Sequence, residues 1–297
     1  MNYMQIAATE NTIYTSPDAS KIFCYTPSII VTPTGRLIVS FDLGGEGVKS
    51  IEGHKSSRAG GSRFGQGKIF ISDDNGQKWT FVQNFPFWHA RLFTIGNSIY
   101  LIGHAGDICI MKSEDNGESW SDTYFLTHGE KWHSSACNVL FSNGNVYLAM
   151  EQRCRLNEVT GWDVAGLSPT LFRACVEDNL CLASSWSRSE KFIYKEVFDG
   201  AKLDFFGIPF YDCETNKPKE IATGINNAPL GWLEANVVKF VDKDHIWHTD
   251  LKEVFHLFLR AHTGGVNYAH LFKIEFPHWS TPLPDKRFHI SHFPADI

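Results

Sequence analysis

The sequence predicts an all-β chain: a β-propeller of four-stranded antiparallel blades, five or six in number, the last allowed to be incomplete. Three observations predict it. One hairpin motif occurs twice in the same setting, strand–turn–strand units recur along the chain, and no convincing amphipathic helix separates them.

Residues 72–79 and 113–120 both read S-x-D-N-G-x-x-W. Each copy follows a strand-like run (Lys68–Ile71, Ile108–Met111) and precedes another (Thr80–Gln83, Asp122–Phe125). Asn and Gly accept positive φ, so Asp-Asn-Gly closes a tight turn. Ser72, Asp74, Ser113 and Asp115 can bond loop amides, Gly76 and Gly117 allow the turn, and Trp79 and Trp120 can pack beneath it. These residues are read as structural, holding a hairpin and doing no chemistry.

A second hairpin lies upstream of each. Ser28–Val31 and Arg36–Phe41 flank a turn at 32–35, and Arg91–Ile95 and Ser98–Gly103 flank Gly96-Asn97. Cys137–Phe141 and Val146–Met150 flank a turn at 142–145. Ala235–Phe240 leads through 241–244 to a strand ending near Leu259. Each unit then has four strands, A to D. The long interval before the last unit hides a degenerate blade or carries an insertion through Phe192–Gly224, and Trp186 reads as the relic of a third turn motif. Arg287–Ser291 reads as the start of another blade, and Ile6–Tyr14 as the outer strand that closes it. Residues 1–297 are expected to form a single domain, with C-terminal truncation left open.

Composition narrows the function. The charge of −6 argues against a nucleic-acid or anionic-membrane partner, either of which needs a basic face. No apolar run reaches membrane-spanning length. Met1–Glu10 lacks the charged and apolar regions of a secretory leader, so a cytoplasmic address is expected. The 7 cysteines (Cys24, Cys109, Cys137, Cys154, Cys175, Cys181, Cys213) form no CxxC pair and read as buried thiols. Histidine spacing signals no metal, and no cofactor is expected. An aromatic content of 14% suits both sheet packing and the stacking of sugar rings.

Blade topology selects the candidate site. The motif turns are C–D turns, so the D–A and B–C connections lie on the opposite face, where loops converge on a rigid scaffold. The ends of B strands bring Asp42, His104, Glu151 with Arg153, and Arg260 with His262. The heads of A strands bring Tyr25, His89 with Arg91, His133 and Glu234. Trp88 and Trp132 precede His89 and His133 in successive blades, an aromatic beside an imidazole that suits stacking on a sugar with a hydrogen bond or proton transfer.

The two S-x-D-N-G-x-x-W turns resemble the Asp boxes (BNR repeats) of the sialidase, or neuraminidase, superfamily. The segment Trp232–Val238 followed by Phe258-Leu259-Arg260 is similar to a sialidase A–B pair, and the chain as a whole looks closest to poorly characterised bacterial sialidase-like proteins. The resemblance implies that Glu234 acts as base to a nucleophilic tyrosine, that Arg260 clamps a substrate carboxylate, and that Asp42 is the acid/base group. The Arg-Ile-Pro motif of sialidases is replaced by Cys24-Tyr25-Thr26-Pro27.

The expected function is an exo-acting glycoside hydrolase on a terminal acidic sugar of a glycan or oligosaccharide. Asp42, Glu234, His104 and His133 are the catalytic candidates. Tyr25, His89, Arg91, Glu151, Arg153, Arg260, His262, Trp88 and Trp132 are the substrate-binding candidates. A polysaccharide lyase cleaving beside a uronate by β-elimination and a non-catalytic glycan-binding propeller are the alternatives. Oligomeric state is open.

Overall fold

The computed structural model describes residues 10–57, 64–133, 138–154, 166–193, 220–222, 225–226, 230–245, 248, 254–262, 267–275 and 289–293. Among the described residues there is no α-helix, only antiparallel strands and short 3-10 turns such as Glu46–Ser50. No described helix is long and apolar enough to cross a membrane. The chain divides into two compact units, Met1–Tyr124 and Phe125–Ile297.

The first unit holds two sheets. One contains β1 (Phe23–Val31), β2 (Leu37–Gly44), β3 (Ser56–Ser57), β4 (Phe64–Ser72) and β5 (Thr80–Phe85). In it β1 pairs β2, β2 pairs β4, and β4 pairs both β5 and the short β3. The other runs in order β6 (Trp88–Ile95), β7 (Ser98–Ala105), β8 (Asp107–Ser113) and β9 (Tyr124–Phe125). Strand β2 is buried on both faces, which is why it reads as a nearly continuous apolar run. Val39, Phe41 and Leu43 enter one cluster with Ile22, Val48 and Phe70. Ile38 faces the other way, into a cluster with Leu92 of β6 and Leu101 of β7. Side chains alternate along a strand, so Ser40 and Asp42 share the face of Ile38 and are directed at the neighbouring sheet.

The second unit repeats this logic. Strands β10 (Trp132–His133) and β11 (Leu140–Ser142) both pair with β12 (Asn145–Arg153), which is followed by β13 (Leu167–Cys175) and β14 (Trp186–Arg188). A small hairpin, β15 (Glu220–Ala222) and β16 (Ile225–Asn226), precedes the last sheet. That sheet runs β17 (Gly231–Val238), β18 (Val254–His262), β19 (Asn267–Glu275) and β20 (His289–Phe293). Tyr147 and Ala149 of β12 pack with Ala235, Val237, Phe255 and Leu257 of the last sheet. By the same alternation, Glu151 lies on that face.

Two expectations about the chain ends change. His289–Phe293 does not begin a new blade. It is the fourth strand of the last sheet, in register with β19 from Glu275↔His289, where it satisfies backbone groups that would otherwise form an open edge. Of Ile6–Tyr14, residues 1–9 lie outside the described part, and Ile13 and Tyr14 are not in a strand: they cover the first sheet, Tyr14 packing on Phe41 and Phe70. Most of the expected insertion lies outside the described residues, but Phe192 anchors in the core beside Tyr147. Cys137 and Cys213 also lie outside. Of the described cysteines, Cys109 and Cys181 are buried as expected, whereas Cys24 is exposed.

The repeated turns do the structural work predicted for them. In the first, Ser72 Oγ donates to Asp74 Oδ1 (2.9 Å) and accepts the Gly76 amide (2.9 Å), Asp74 accepts the Lys78 amide (2.8 Å), and Trp79 Nε1 donates to Gly76 O (3.0 Å). In the second, Ser113 bonds Asp115 (2.8 Å) and the Gly117 amide (2.9 Å), and Asp115 accepts the Ser119 amide (2.9 Å). Asn75 and Asn116 have φ of 56° and 59°, the left-handed geometry the motif needs. Trp120 differs from Trp79 in that its buried Nε1 has no partner among the described residues. Trp186 Nε1 donates to Leu180 O at 2.8 Å across the β13–β14 turn.

Ser72→Ala leaves the buried Gly76 amide without its acceptor and should lower stability by about 1–3 kcal/mol. Chemical denaturation of the purified variant checks this, and an unchanged midpoint would contradict it.

Candidate functional site

Three strands, β1, β6 and β17, share one irregularity. In β1, Thr26 and Pro27 lie opposite the single residue Phe41, between the pairs Tyr25↔Asp42 and Ser28↔Ser40. In β6, His89 and Ala90 lie opposite Gly103, and in β17, Glu234 and Ala235 lie opposite Leu259. Each is a two-against-one bulge. The first bulge residue is left-handed in every case, with φ of 51° at Thr26, 51° at His89 and 62° at Glu234. Such a conformation costs a non-glycine residue about 1–3 kcal/mol and persists only where the surroundings impose it.

A bulge also removes amides from the strand ladder, and a buried amide needs an acceptor. The acceptor for the bulge in β6 is Asp42, whose Oδ2 takes the His89 N–H at 3.1 Å. For the bulge in β17 it is Glu151, whose Oε1 takes the Ala235 N–H at 2.9 Å. Both carboxylates end the second strand of the preceding sheet, on the face that alternation assigns them. In β1 the second bulge residue is Pro27, which has no N–H to satisfy.

Around Asp42 the first unit gathers several predicted residues. Thr26 Oγ1 donates weakly to Asp42 Oδ2 at 3.4 Å. The imidazoles of His89 and His104 are joined, Nδ1 to Nε2, at 3.0 Å. Asp42 is fully buried, and its Oδ1 has no hydrogen-bond partner among the described residues. Burial pushes its carboxyl up from the ordinary aspartate range to about 7, against the opposing pull of the His89 amide and the Arg91 charge. Arg91 is 8% exposed and donates to Pro27 O (3.3 Å) and Ala90 O (3.1 Å). These two bonds brace the bulge. Tyr25, opposite Asp42 in register, is exposed at 44%.

Trp88 lies over a glycine floor. A Cβ on Gly65 would stand 2.1 Å from its ring, so the ring rests directly on the β4 backbone. Trp132 is enclosed. It is 2% exposed, donates to Glu130 Oε2 (2.9 Å) and packs edge-on against Phe172. Arg188 binds the same Glu130 at 2.7 Å and lies over the Trp132 ring. The two Trp-His pairs are out of step by one residue, since Trp88 pairs with His104 whereas His133, not Trp132, pairs with Glu151.

In the second unit His133 Nδ1 meets Glu151 Oε2 at 2.6 Å, both side chains being almost completely buried. Glu151 is thereby engaged through both oxygens, Oε2 with His133 and Oε1 with the Ala235 amide. Glu234 and Arg260 form an ion pair at 3.0 Å and remain 40% and 36% exposed. Arg153 is partly buried and its amide donates to Lys131 O at 2.6 Å. The backbone of His262 ends β18, opposite Gly231, and its side chain lies outside the described part. The sequence reading missed Thr26, Pro27 and the amide of Ala235. Its available signal was the small or imino residue that follows each left-handed position: Pro27, Ala90 and Ala235.

No protein-family model matches this sequence, and no curated protein matches it. Among solved structures it is similar to an α-L-arabinofuranosidase from Lactobacillus brevis at 13% identity, with a TM-score of 0.50, over 92% of this chain and 81% of that one. It is also similar to NanB sialidase of Streptococcus pneumoniae (9% identity, TM-score 0.47), over 93% of this chain and 49% of that one. With Trypanosoma rangeli sialidase the figures are 12% identity and TM-score 0.44, over 82% of this chain and 30% of that one. The first likeness assigns the blade-type sheets to the β-propeller fold.

The raised Asp42 value has a consequence for stability. The unfolded chain binds fewer protons than the folded one between about pH 4 and 7, so stability falls as pH rises through that window, and the full cost is present above it. At about 1.4 kcal/mol per unit, that cost is several kcal/mol. Asp42→Asn keeps an oxygen for the His89 amide and removes the buried charge. Its melting temperature should gain on the parent by several degrees between about pH 5 and about pH 8, and a constant difference would contradict the assignment.

Proposed function

We propose that the chain is a glycoside hydrolase of sialidase-like type, exo-acting on a terminal acidic sugar of a glycan, with Asp42 as its acid/base group. The observation that carries this reading is the placement of Asp42. Its carboxyl is buried, one oxygen is fixed on the His89 amide, and the other has no partner among the described residues. A fixed carboxyl that stays protonated near neutral pH can protonate a departing glycosidic oxygen and later take a proton from water. Fixing the group in advance removes the cost of orienting it during reaction. The propeller fold shared with an α-L-arabinofuranosidase and the two Asp-box-like turns are consistent with a carbohydrate-active enzyme.

The second unit carries its own candidate. Arg260 and Glu234 hold each other in a half-exposed ion pair. An incoming sugar carboxylate would compete with Glu234 for Arg260, and a freed Glu234 is a base suited to activating a nucleophile. A lyase reading is favoured by one observation, the joined His89 and His104 rings. One imidazole can steady its neighbour as a base that removes the α proton of a uronate.

The test is turnover of a glycan panel containing sialylated, arabinosyl and uronate-rich chains, read for new reducing ends and ultraviolet absorbance together. Hydrolysis predicts released sugar without the absorbance of an unsaturated uronate, a kcat/KM that falls as pH rises through about 7, and a loss of roughly 100-fold or more in Asp42→Asn with binding retained. Reducing ends that appear with the absorbance would select the lyase. Binding without turnover would overturn both enzymatic readings, and full hydrolytic activity in Asp42→Asn would overturn the role given to Asp42.

A further inference from the structure

We infer that Glu151, fixed by His133, is a positioning residue that holds the left-handed backbone at Glu234 and so aims the Glu234 carboxylate at Arg260. The inference rests on Glu234 being a functional group of the second unit. The geometry links the residues in a chain. His133 and Glu151 are paired in register on β10 and β12, and their side chains meet at 2.6 Å through Oε2. The other carboxylate oxygen, Oε1, crosses to β17 and takes the Ala235 amide at 2.9 Å. Ala235 follows Glu234, whose φ of 62° is a conformation its own side chain does not favour. On the far side of that backbone, Glu234 meets Arg260 at 3.0 Å.

An independent copy of the device supports this. In the first unit, Asp42 Oδ2 holds the amide of His89, the left-handed residue of the bulge in β6. In the bulge in β1 the second residue is Pro27, which itself has no amide to hold. Glu151 therefore belongs to the backbone of the next sheet. Both of its carboxylate oxygens are engaged, Oε2 with His133 and Oε1 with the Ala235 amide.

The experiment uses the full chain and three variants, Glu151→Leu, Glu151→Gln and the double variant Glu151→Leu with Ala235→Pro. Glutamine keeps an oxygen for the amide, and proline removes the amide that needs one. Hydrogen exchange of peptides covering 231–238 is compared with those covering 37–44, and activity is followed on any substrate the panel yields. In Glu151→Leu, exchange in 231–238 should rise about tenfold or more while 37–44 is unchanged, and kcat should fall with KM preserved. Glu151→Gln and the double variant should return close to the parent. A Glu151→Leu chain that fails to fold beside a double variant that folds gives the same support. Parent-like exchange in Glu151→Leu, or a double variant no better than Glu151→Leu, would overturn the proposal. A parent chain with no glycan turnover removes the enzymatic reading of Glu234, whereas the exchange data still decide whether Glu151 holds the bulge.

Discussion

A carboxylate at the end of one sheet's second strand takes an amide that a bulge has released in the next sheet's first strand. Asp42 does this for His89 and Glu151 does it for Ala235. Much else follows from this bond. The bulge turns one side chain out of the strand alternation, so a residue that would face the core or a neighbouring strand is presented at the sheet's end. The left-handed residue at each bulge is strained, and the bond to the carboxylate helps offset that strain. Sheet-to-sheet packing then fixes the carboxylate itself, because Ile38 and Asp42, or Tyr147 and Glu151, lie on one face of the same strand.

The two carboxylates do the same backbone job and differ in their second oxygen. Glu151 spends it on His133, which closes the arrangement and leaves a structural latch. Asp42 has no such partner for Oδ1 among the described residues, and its nearest cation, Arg91, donates to backbone carbonyls. Desolvation therefore outweighs the favourable contacts, and the carboxyl holds its proton to about pH 7.

The sequence carried the parts of this arrangement that depend on residue type. Ser72, Asp74, Gly76 and their second copy were legible because a left-handed turn selects Asn and Gly. Asp42 and Glu151 were legible because a charge ending an apolar strand is conspicuous. The bulges were not. Thr26 and Glu234 are not residues that prefer left-handed backbone, and tertiary contacts impose it on them. The burial of Trp132 was not legible for a related reason. The two Trp-His pairs look equivalent in the chain, but their registers differ by one residue, which in a strand exchanges the two faces. Trp132 thus enters the core, whereas Trp88 lies over Gly65. The contacts of Arg91 were not legible either, since nothing in its spacing reveals that the bulge offers it two carbonyls.

The most direct measurement is a carbon-13 carboxyl titration of the folded chain labelled at aspartate, with the Asp42 signal assigned by its loss in Asp42→Asn. The account predicts a midpoint near 7 for Asp42. A midpoint near 4, the ordinary aspartate value, would show that the buried carboxyl is ionised throughout the neutral range and would contradict its role as proton donor.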